Sequence, residues 1–555
     1  MGRFLFTCTT LFALFVSLSF NLSAQQTLVM VRVNGMDFRL SDPPNGSDPA
    51  AHYGTQLKNV LHRLDPFSQC TVWAQHPIQL KVGSGVKTLQ EGLVLHFENI
   101  ELKPTRPFFH IFHLGGNGST LIGLKVFGDG DNRRVAGDRS AGIGIYGRNC
   151  RVLQCTSSTM PDGGNANCFE VFGEYCNVSS CLGINPGYAC FRTKAHNTKF
   201  DRIETFVDRS TANGQNRPVV VSGQDLDEDD AENGLVEITN SLFRAEFANG
   251  YEKLAPSRRE VASVIDPGDL PEDGLERFVM RDCTFHYGET VTNTKCKHVF
   301  KVVDVHHTIL ERINVITHPG FGGWTMRIQE HVNSGTPVSV DILNCHWDSG
   351  LNFDGKLGTI RIRNSSIGSF YAYANELFED TNFPTVLEIH NSKLRHPRAM
   401  CSFSHATPKE NRLVITESTF GAMAPSAGKR THLFRGSGLP IFPSYFTSFA
   451  FLIIEPPAAA NRIHLSNSPK FRLAFTPNAP RNSFLFDPSG GVTTSETNPR
   501  SSDKVYGPPF NNMPGRQGDR IYLAGGADDN EHGWGKAAYW EWRRSNGRWN
   551  KVVIQ

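Results

Sequence analysis

Short bursts of alternating apolar and polar positions recur along the chain. "VDILNCHW" (Val340 to Trp347) reads apolar, x, apolar, x, Asn, Cys, x, apolar. The same frame returns in "VEITNSLF" (Val236 to Phe243), "FVMRDCTF" (Phe278 to Phe285), "IRIRNSSI" (Ile360 to Ile367), "LEIHNSKL" (Leu387 to Leu394) and "LVITESTF" (Leu413 to Phe420). Aligned on the fifth position, Asn240, Asp282, Asn344, Asn364, Asn391, Glu417 and Asn467 share a column. The steps from Asn344 to Asn364, Asn391 and Glu417 are 20, 27 and 26 residues. The 62 residues from Asp282 to Asn344 divide at a weaker copy in "TILERINV", and the 50 from Glu417 to Asn467 read as two turns. Upstream, "CRVLQCTS", "CNVSSCLG" and "TKFDRIET" keep the register at spacings of 26 and 22. Short strands repeating at this period predict a solenoid.

About ten residues before each copy lies another alternating stretch: "GIGIYG", "CFEVFG", "CFRTKA" and "VFKVVD". Period-two alternation gives each an inner and an outer face. Two or three short strands per coil, stacked coil on coil, make a parallel β-helix. No helix or Leu-x-x-Leu-x-Leu frame recurs, which argues against ankyrin-like and leucine-rich arrays. The predicted fold class is all-β, a parallel β-helix. An N-terminal helix, "DPAAHYGTQLKNVLHRL", caps it, with Asp48 as N-cap, Pro49 in the first turn and Leu57, Val60, Leu61 and Leu64 on one face.

The pattern also divides the chain. Residues 1–24 read as a signal peptide: Arg3, the apolar run "FLFTCTTLFALFVSLSF", then "NLSA" before Gln25. A retained membrane anchor is the alternative, since Leu22 departs from the small-residue rule. Residues 25–110 form the N-terminal cap and first coils, 111–486 the β-helix and 487–515 a linker rich in Gly, Ser, Thr and Pro. Residues 516–555 form a small β module with Trp534, Trp540, Trp542 and Trp549, either an aromatic core or a sugar-stacking surface. No other segment reaches the roughly 20 apolar residues of a membrane span. The expected product is a secreted, periplasmic or cell-surface protein with no membrane span after signal cleavage.

Charge and cysteine content refine this. Lys+Arg 56 against Asp+Glu 54 gives no global basic bias, so nucleic acid is not suggested as a partner. The 12 cysteines of an exported chain invite disulfides. Their columns suggest otherwise: Cys155, Cys181, Cys283 and Cys345 share a position that Ser241, Ser365, Ser392, Ser418 and Ser468 fill elsewhere. Cys150 and Cys176 share a second column, Cys168 and Cys190 a third. Compact side chains at a tight corner predict a ladder of buried thiols. No CxxC pairs with a second CxxC or HxxxH, so a zinc site is not expected.

With its capping helix, the following "TVWAQHPIQLKVGSGVKTLQEGLVLHFENI" and the coil motif, the chain resembles the pectin-lyase-like superfamily of right-handed parallel β-helix proteins over about residues 27–486. The resemblance implies a carbohydrate-active protein. That superfamily includes polysaccharide lyases, glycoside hydrolases, uronate epimerases, esterases and non-catalytic surface proteins, so fold does not choose the chemistry. The Asn-Thr-Asp, Asp-Asp and Gly-His-Gly pattern of polygalacturonases is absent. "TKAHN" (Thr193 to Asn197) is similar to the strand Lys and following Asn of the alginate-lyase and chondroitinase B-like group, whose Arg-His-Gly has no counterpart here.

The coil register places candidate chemistry on the outer face of the earlier strand. With Ile143, Phe169, Phe191 and Phe300 inside, one outward column reads Gly144, Glu170, Arg192, Lys301. Its neighbour reads Tyr146, Phe172, Lys194, Val303, and "TMRIQEH" adds Arg327. A basic stripe with aromatic flanks suits an acidic polysaccharide: arginine forks hold carboxylates and aromatic faces take sugar rings. β-Elimination from a uronate needs a base for the C5 proton and a cation on the carboxylate. A lysine beside an arginine loses its proton more readily, which assigns Lys194 as base and Arg192 as neutraliser, with His196 as reserve base. Glu170, Lys301, Arg327, Tyr146 and Phe172 are the expected substrate contacts. A solvated charged face is the alternative. A glycoside hydrolase would need two carboxylates, for which Glu170 with Asp225 or Asp227 is the available pair. A non-catalytic glycan-binding surface protein is the third reading. In "DLDEDDAEN", Asp225, Asp227 and Asp229 alternate as Ca2+ ligands do but lack the EF-hand glycine and glutamate, so a solvated acidic loop stands beside a calcium site.

Overall fold

Each coil of the chain is made of three short strands, and two consecutive coils show the plan. Arg151–Leu153, Thr156–Ser158 and Asn165–Val171 form one. Asn177–Ser179, Leu182–Ile184 and Ala189–Thr193 form the next. They pair in parallel, with Val152 opposite Val178, Ser157 opposite Gly183 and Phe169 opposite Phe191. This computed structural model describes residues 28–105, 110–128, 139–160, 165–208, 217–222, 234–246, 263–266, 275–289, 291, 298–303, 305–318, 321, 324–329, 338–354, 357–368, 370–373, 386–394, 401–403, 412–416, 418–420, 452–454, 462–466, 473–475, 483–486, 520–523, 538–543 and 548–553. Among them the first two strands of every coil join one sheet of 28 strands, and the third joins a sheet of 14. The fold is a right-handed parallel β-helix, the hand that parallel crossovers take.

The recurring Asn has a conformational cause. Asn240, Asn344, Asn364 and Asn391 have φ between 44° and 55°, the left-handed region that L-residues other than Gly, Asn and Asp avoid. Gln154, Ser180, Arg202, Asp282 and Arg312 occupy the same corner with φ of 51–55°. The left-handed residue bends the first strand into the second while its N–H bonds onward to the next coil: Asn240 N to Arg281 O, and Asn344 N to Arg363 O, both 3.0 Å. Arg312 confirms the weaker copy in "TILERINV".

The Ser or Cys that follows is an interior connector. Ser365 Oγ donates to its own coil at Arg363 O (2.8 Å) and accepts from Cys345 N of the coil before (3.0 Å). Ser392 Oγ repeats this with His390 O (2.7 Å) and Ser365 N (3.1 Å). A thiol fits the same place: Cys181 Sγ donates to Ser179 O at 3.3 Å and accepts from Cys155 N at 3.4 Å. The corner therefore selects a small side chain that both donates and accepts. The nine cysteines whose side chains are described are buried and free, in agreement with a thiol ladder. Burial pushes the Cys70, Cys283 and Cys345 thiols up to about 12.

The bore is apolar and partly aromatic. Val340 and Ile342 are fully buried, Phe169 stacks on Phe191 (4.7 Å, 5°) and Phe243 on Phe285 (4.5 Å, 23°). At the N-terminal end Val29–Val33 pairs antiparallel with Met36–Arg39 and with Gln69–Val82, so the first long strand does not present a bare edge. The helix Pro49–His62 starts at Asp48, whose carboxylate accepts from Ala50 N (3.0 Å) and meets Lys81 Nζ (2.9 Å). Leu57 and Leu61 are buried, and Gly54 rests on the Lys81 carbonyl, where a Cβ would lie 2.1 Å from the oxygen.

One expectation is corrected. Arg412–Thr416 pairs directly with Arg462–Ser466, so Glu417 to Asn467 is one turn carrying a long insertion and not two turns. Backbone pairing reveals this, because an insertion and an extra coil have similar lengths in sequence. Arg520–Leu523, Ala538–Arg543 and Arg548–Val553 form a separate antiparallel sheet that pairs Trp542 with Trp549. The expected signal peptide, the expected linker 487–515 and Trp534 lie outside the described residues. No helix among the described residues is long and apolar enough to cross a membrane.

Two outcomes follow from the corner. Asn344→Gly leaves the denaturation midpoint nearly unchanged, whereas Asn344→Val lowers stability by ~1–2 kcal/mol, the cost of a left-handed branched residue. Peptide mapping after alkylation of the native protein finds the nine buried thiols unmodified, and labelling becomes complete only after denaturation.

Candidate functional site

The third strands line up one register column coil by coil. It runs Lys87, His113, Gly144, Glu170, Arg192, Val220, Val264, Lys301, Arg327, Asn352. Just past the strand ends, Tyr146, Phe172 and Lys194 follow one another, their N–H groups bonding to Leu114 O, Ile145 O and Val171 O. The structure thus brings Glu170, Arg192, Lys194, Phe172 and Tyr146 together. Lys301 and Arg327 are neighbours in the same column, but Val220 and Val264 separate them from Arg192. Three coil spacings put Lys301 roughly 14 Å from Arg192 along the column. The basic stripe is two separate patches.

The first patch is buried. Glu170 is 0% exposed, Arg192 8%, Lys194 7% and His196 4%. Arg192 Nη1 lies 3.4 Å from Glu170 Oε1, and its Nε donates to Ser222 Oγ at 3.2 Å. The Arg192 guanidinium sits 5.4 Å from the Tyr188 ring centre, with Arg217 at 5.2 Å from the same ring and donating to the Tyr188 hydroxyl at 3.3 Å. His196 fills the space beside Gly234, where a Cβ would come within 2.2 Å of Nδ1. Charges taken from water gain little net stability even when paired, so a cluster of this kind is held at a cost in the fold's stability. A buried charged cluster of this kind is a candidate functional site.

Beside the cluster runs an aromatic ladder. His113 stacks on Tyr146 (4.1 Å, 4°), Tyr146 on Phe172 (4.3 Å, 16°), and Lys194 Nζ lies 5.4 Å from the Phe172 ring centre. The facing sides of these rings are covered by one another. Gly144 makes the ladder possible: a Cβ there would sit 2.9 Å from both His110 Cδ2 and Tyr146 Cε2. Tyr146 Oη lies 2.8 Å from His110 Nε2. Burial lowers His110, with Lys87 adding to it. Burial first, then His110 and Lys87, brings His113 down to about 4.

His110, His113, Tyr188, Arg217 and Ser222 were not among the residues expected from sequence. His113 was within reach, since Phe112 and Leu114 keep the alternation of Ile143 and Ile145 one coil earlier. Tyr188 carries no such mark because it precedes the strand Ala189–Thr193, and Ser222 closes the strand Arg217–Ser222, a stretch outside the repeats aligned from sequence. Asp225, Asp227 and Asp229 lie outside the described residues. Among the described residues no three potential ligands gather as a metal site.

No protein-family model and no curated protein matches this chain. Among solved structures it is similar to a double mutant of the tailspike protein of E. coli bacteriophage HK620, at 12% identity and a TM-score of 0.39, covering 82% of this chain and 77% of that one. It is also similar to a PL6 alginate lyase in complex with a trisaccharide, at 10% identity and a TM-score of 0.36, covering 80% and 83%.

Because His113 is held below its ordinary value of 6.5, the unfolded chain binds its proton more tightly than the folded one. Its contribution to stability is therefore complete above about 6.5 and is lost as pH falls through about 4. His113→Phe keeps the stack on Tyr146 and removes that part of the acid loss, read as a smaller drop in thermal midpoint over the same range.

Proposed function

We propose that this is an exported carbohydrate-active protein that cleaves an acidic, uronate-containing polysaccharide by β-elimination on the outer face of the smaller parallel sheet. The observation that carries this reading is the Glu170, Arg192, Lys194 cluster beside the aromatic ladder. Glu170 and Ser222 fix the Arg192 fork, and Phe172 holds the Lys194 ammonium. Both cations keep a small exposed area in a low-dielectric setting, where a ligand carboxylate is held more strongly than in water. In this reading Arg192 neutralises the uronate carboxylate and acidifies its C5–H, and Lys194 removes that proton. Lys301 and Arg327, three and four coils further along, contact the sugar chain at a distance from the reacting unit, as an extended polymer on a solenoid requires.

A panel of acidic polysaccharides tests the proposal. The expected products carry ultraviolet-absorbing unsaturated ends. Reducing ends without that absorbance would make the protein a hydrolase, and retention without cleavage a binder. Lys194→Ala lowers turnover by at least ~100-fold with the fold intact. Arg192→Ala does the same and also costs ~3–5 kcal/mol, because it takes the cation from buried Glu170. Full activity in the double variant would sink the site assignment.

A further inference from the structure

A second left-handed corner joins the third strand of each coil to the first strand of the next. Register counted back two residues from Gln69, Val94, Thr120, Arg151, Asn177 and Lys199 puts Phe67, Gly92, Gly118, Asn149, Tyr175 and Asn197 in one column. All six have φ between 55° and 67°. Phe67 N bonds to Glu91 O, Gly92 N to Asn117 O, Gly118 N to Arg148 O and Asn149 N to Glu174 O, each at 2.8 Å. Gly and Asn suit that angle, whereas a bulky aromatic residue adopts it only at a cost. Phe67 and Tyr175 recover none of that cost in the core. They are 73% and 55% exposed, and Phe67 is the most exposed large apolar residue among those described. One edge of the Phe67 ring lies on Gly92, where a Cβ would come within 2.2 Å of Cδ1. Gly118 is open, with nothing among the described residues within 4 Å of a Cβ position. Four coil steps put Tyr175 roughly 19 Å from Phe67 along the axis. The strip borders the aromatic ladder: Tyr175 follows Phe172 by three residues, and the 57% exposed Leu89 comes three before Gly92. Leu89 Cδ2 and His113 Nε2 both lie within 3.0 Å of a Cβ position at Gly115.

We propose that this corner is a second, non-catalytic glycan-binding strip, on which Phe67 and Tyr175 each pack against one sugar ring of a polysaccharide lying along the axis. The proposal rests on the functional reading above for the polysaccharide alone and not for its cleavage. The C–H groups on the face of a pyranose are weakly positive, and they pack on the negative face of an aromatic ring. An aromatic residue held in a costly backbone conformation and presented to water is explained by a ligand, because no contact inside the molecule requires it there. Between the two rings, Gly118 keeps the path low, and the Asn149 amide supplies both a donor and an acceptor for sugar hydroxyls. Arg148 and Glu174 beside the strip are paired with each other, so the strip reads ring faces where the buried cluster reads a carboxylate. A second copy of this chain is a poorer occupant. Two rings that far apart, with an open glycine between them, do not make the continuous apolar patch that a protein interface needs.

Phe67→Asn combined with Tyr175→Asn removes both rings and installs the residue type that positions 149 and 197 of the column already carry. The double variant is therefore expected to keep or raise the thermal midpoint, which separates lost binding from lost fold. Binding is read as retardation in gels containing each polysaccharide of the panel, in the Lys194→Ala background for any that the wild type cleaves. The double variant is expected to bind ~10- to 100-fold more weakly, with each single variant losing part of this. Unchanged retardation in the double variant overturns the proposal and, where the wild type cleaves, leaves the functional reading standing. Retardation that the double variant loses while the wild type cleaves nothing supports the strip and overturns the lyase reading. A wild type that is neither retarded nor active overturns both. A dimer in analytical ultracentrifugation that the double variant dissolves also overturns the proposal, and makes the strip a contact between copies.

Discussion

The left-handed corner between the first two strands of each coil is the constraint on which the rest of the molecule depends. A parallel strand stack has no hairpins, so every N–H and C=O must find its partner one coil away. Regular strands do this by register, but a corner turns the backbone out of register. The left-handed residue solves the problem by bending the chain while keeping its N–H aimed at the next coil, as Asn240 and Asn344 do. The following Ser or Cys then joins its own coil to the one before through a single compact side chain. Interior thiols here stand in for hydroxyls, which explains why the described coils carry so many cysteines without bridging them.

Once the corners are set, the third strand becomes a precise carrier of outward side chains. Each coil adds one position to the column, and neighbouring coils bring those positions within touching distance. Glu170 meets Arg192, and His113, Tyr146, Phe172 and Lys194 form a continuous stack. The same geometry separates what sequence alignment had grouped: two valines stand between Arg192 and Lys301. Rings stacked at coil spacing also cover each other's faces, so this ladder offers less flat surface than isolated aromatics would.

Much of the architecture was legible because its cause is local. The Asn or Asp at the corner answers a backbone angle, the Ser or Cys answers a hydrogen-bonding need, and Phe169 and Phe191 answer the bore. Arg312 was found despite lacking a left-handed preference, since the apolar positions around it kept the frame. Lys194 and Arg192 were placed beside Glu170 and Phe172 for the same reason. The insertion before Asn467 was misread as a coil, because length in a repeat does not distinguish a loop from a turn of the solenoid. Tyr188, just before the strand that carries Arg192, and Arg217 and Ser222, at the two ends of the next coil's strand, enter the site from stretches the aligned motif does not cover.

The sequence by itself determined the all-β solenoid, its period, the inner and outer faces of its strands and the chemistry available on the outer one. These are properties of nearest neighbours along the chain and of one repeating backbone angle. Only the tertiary structure decided which coils are adjacent, how deeply Glu170, Arg192, Lys194 and His196 are buried, and that Gly144 makes room for His110 against Tyr146. Burial and contact across coils depend on residues distant in the chain, and no periodic signal records them.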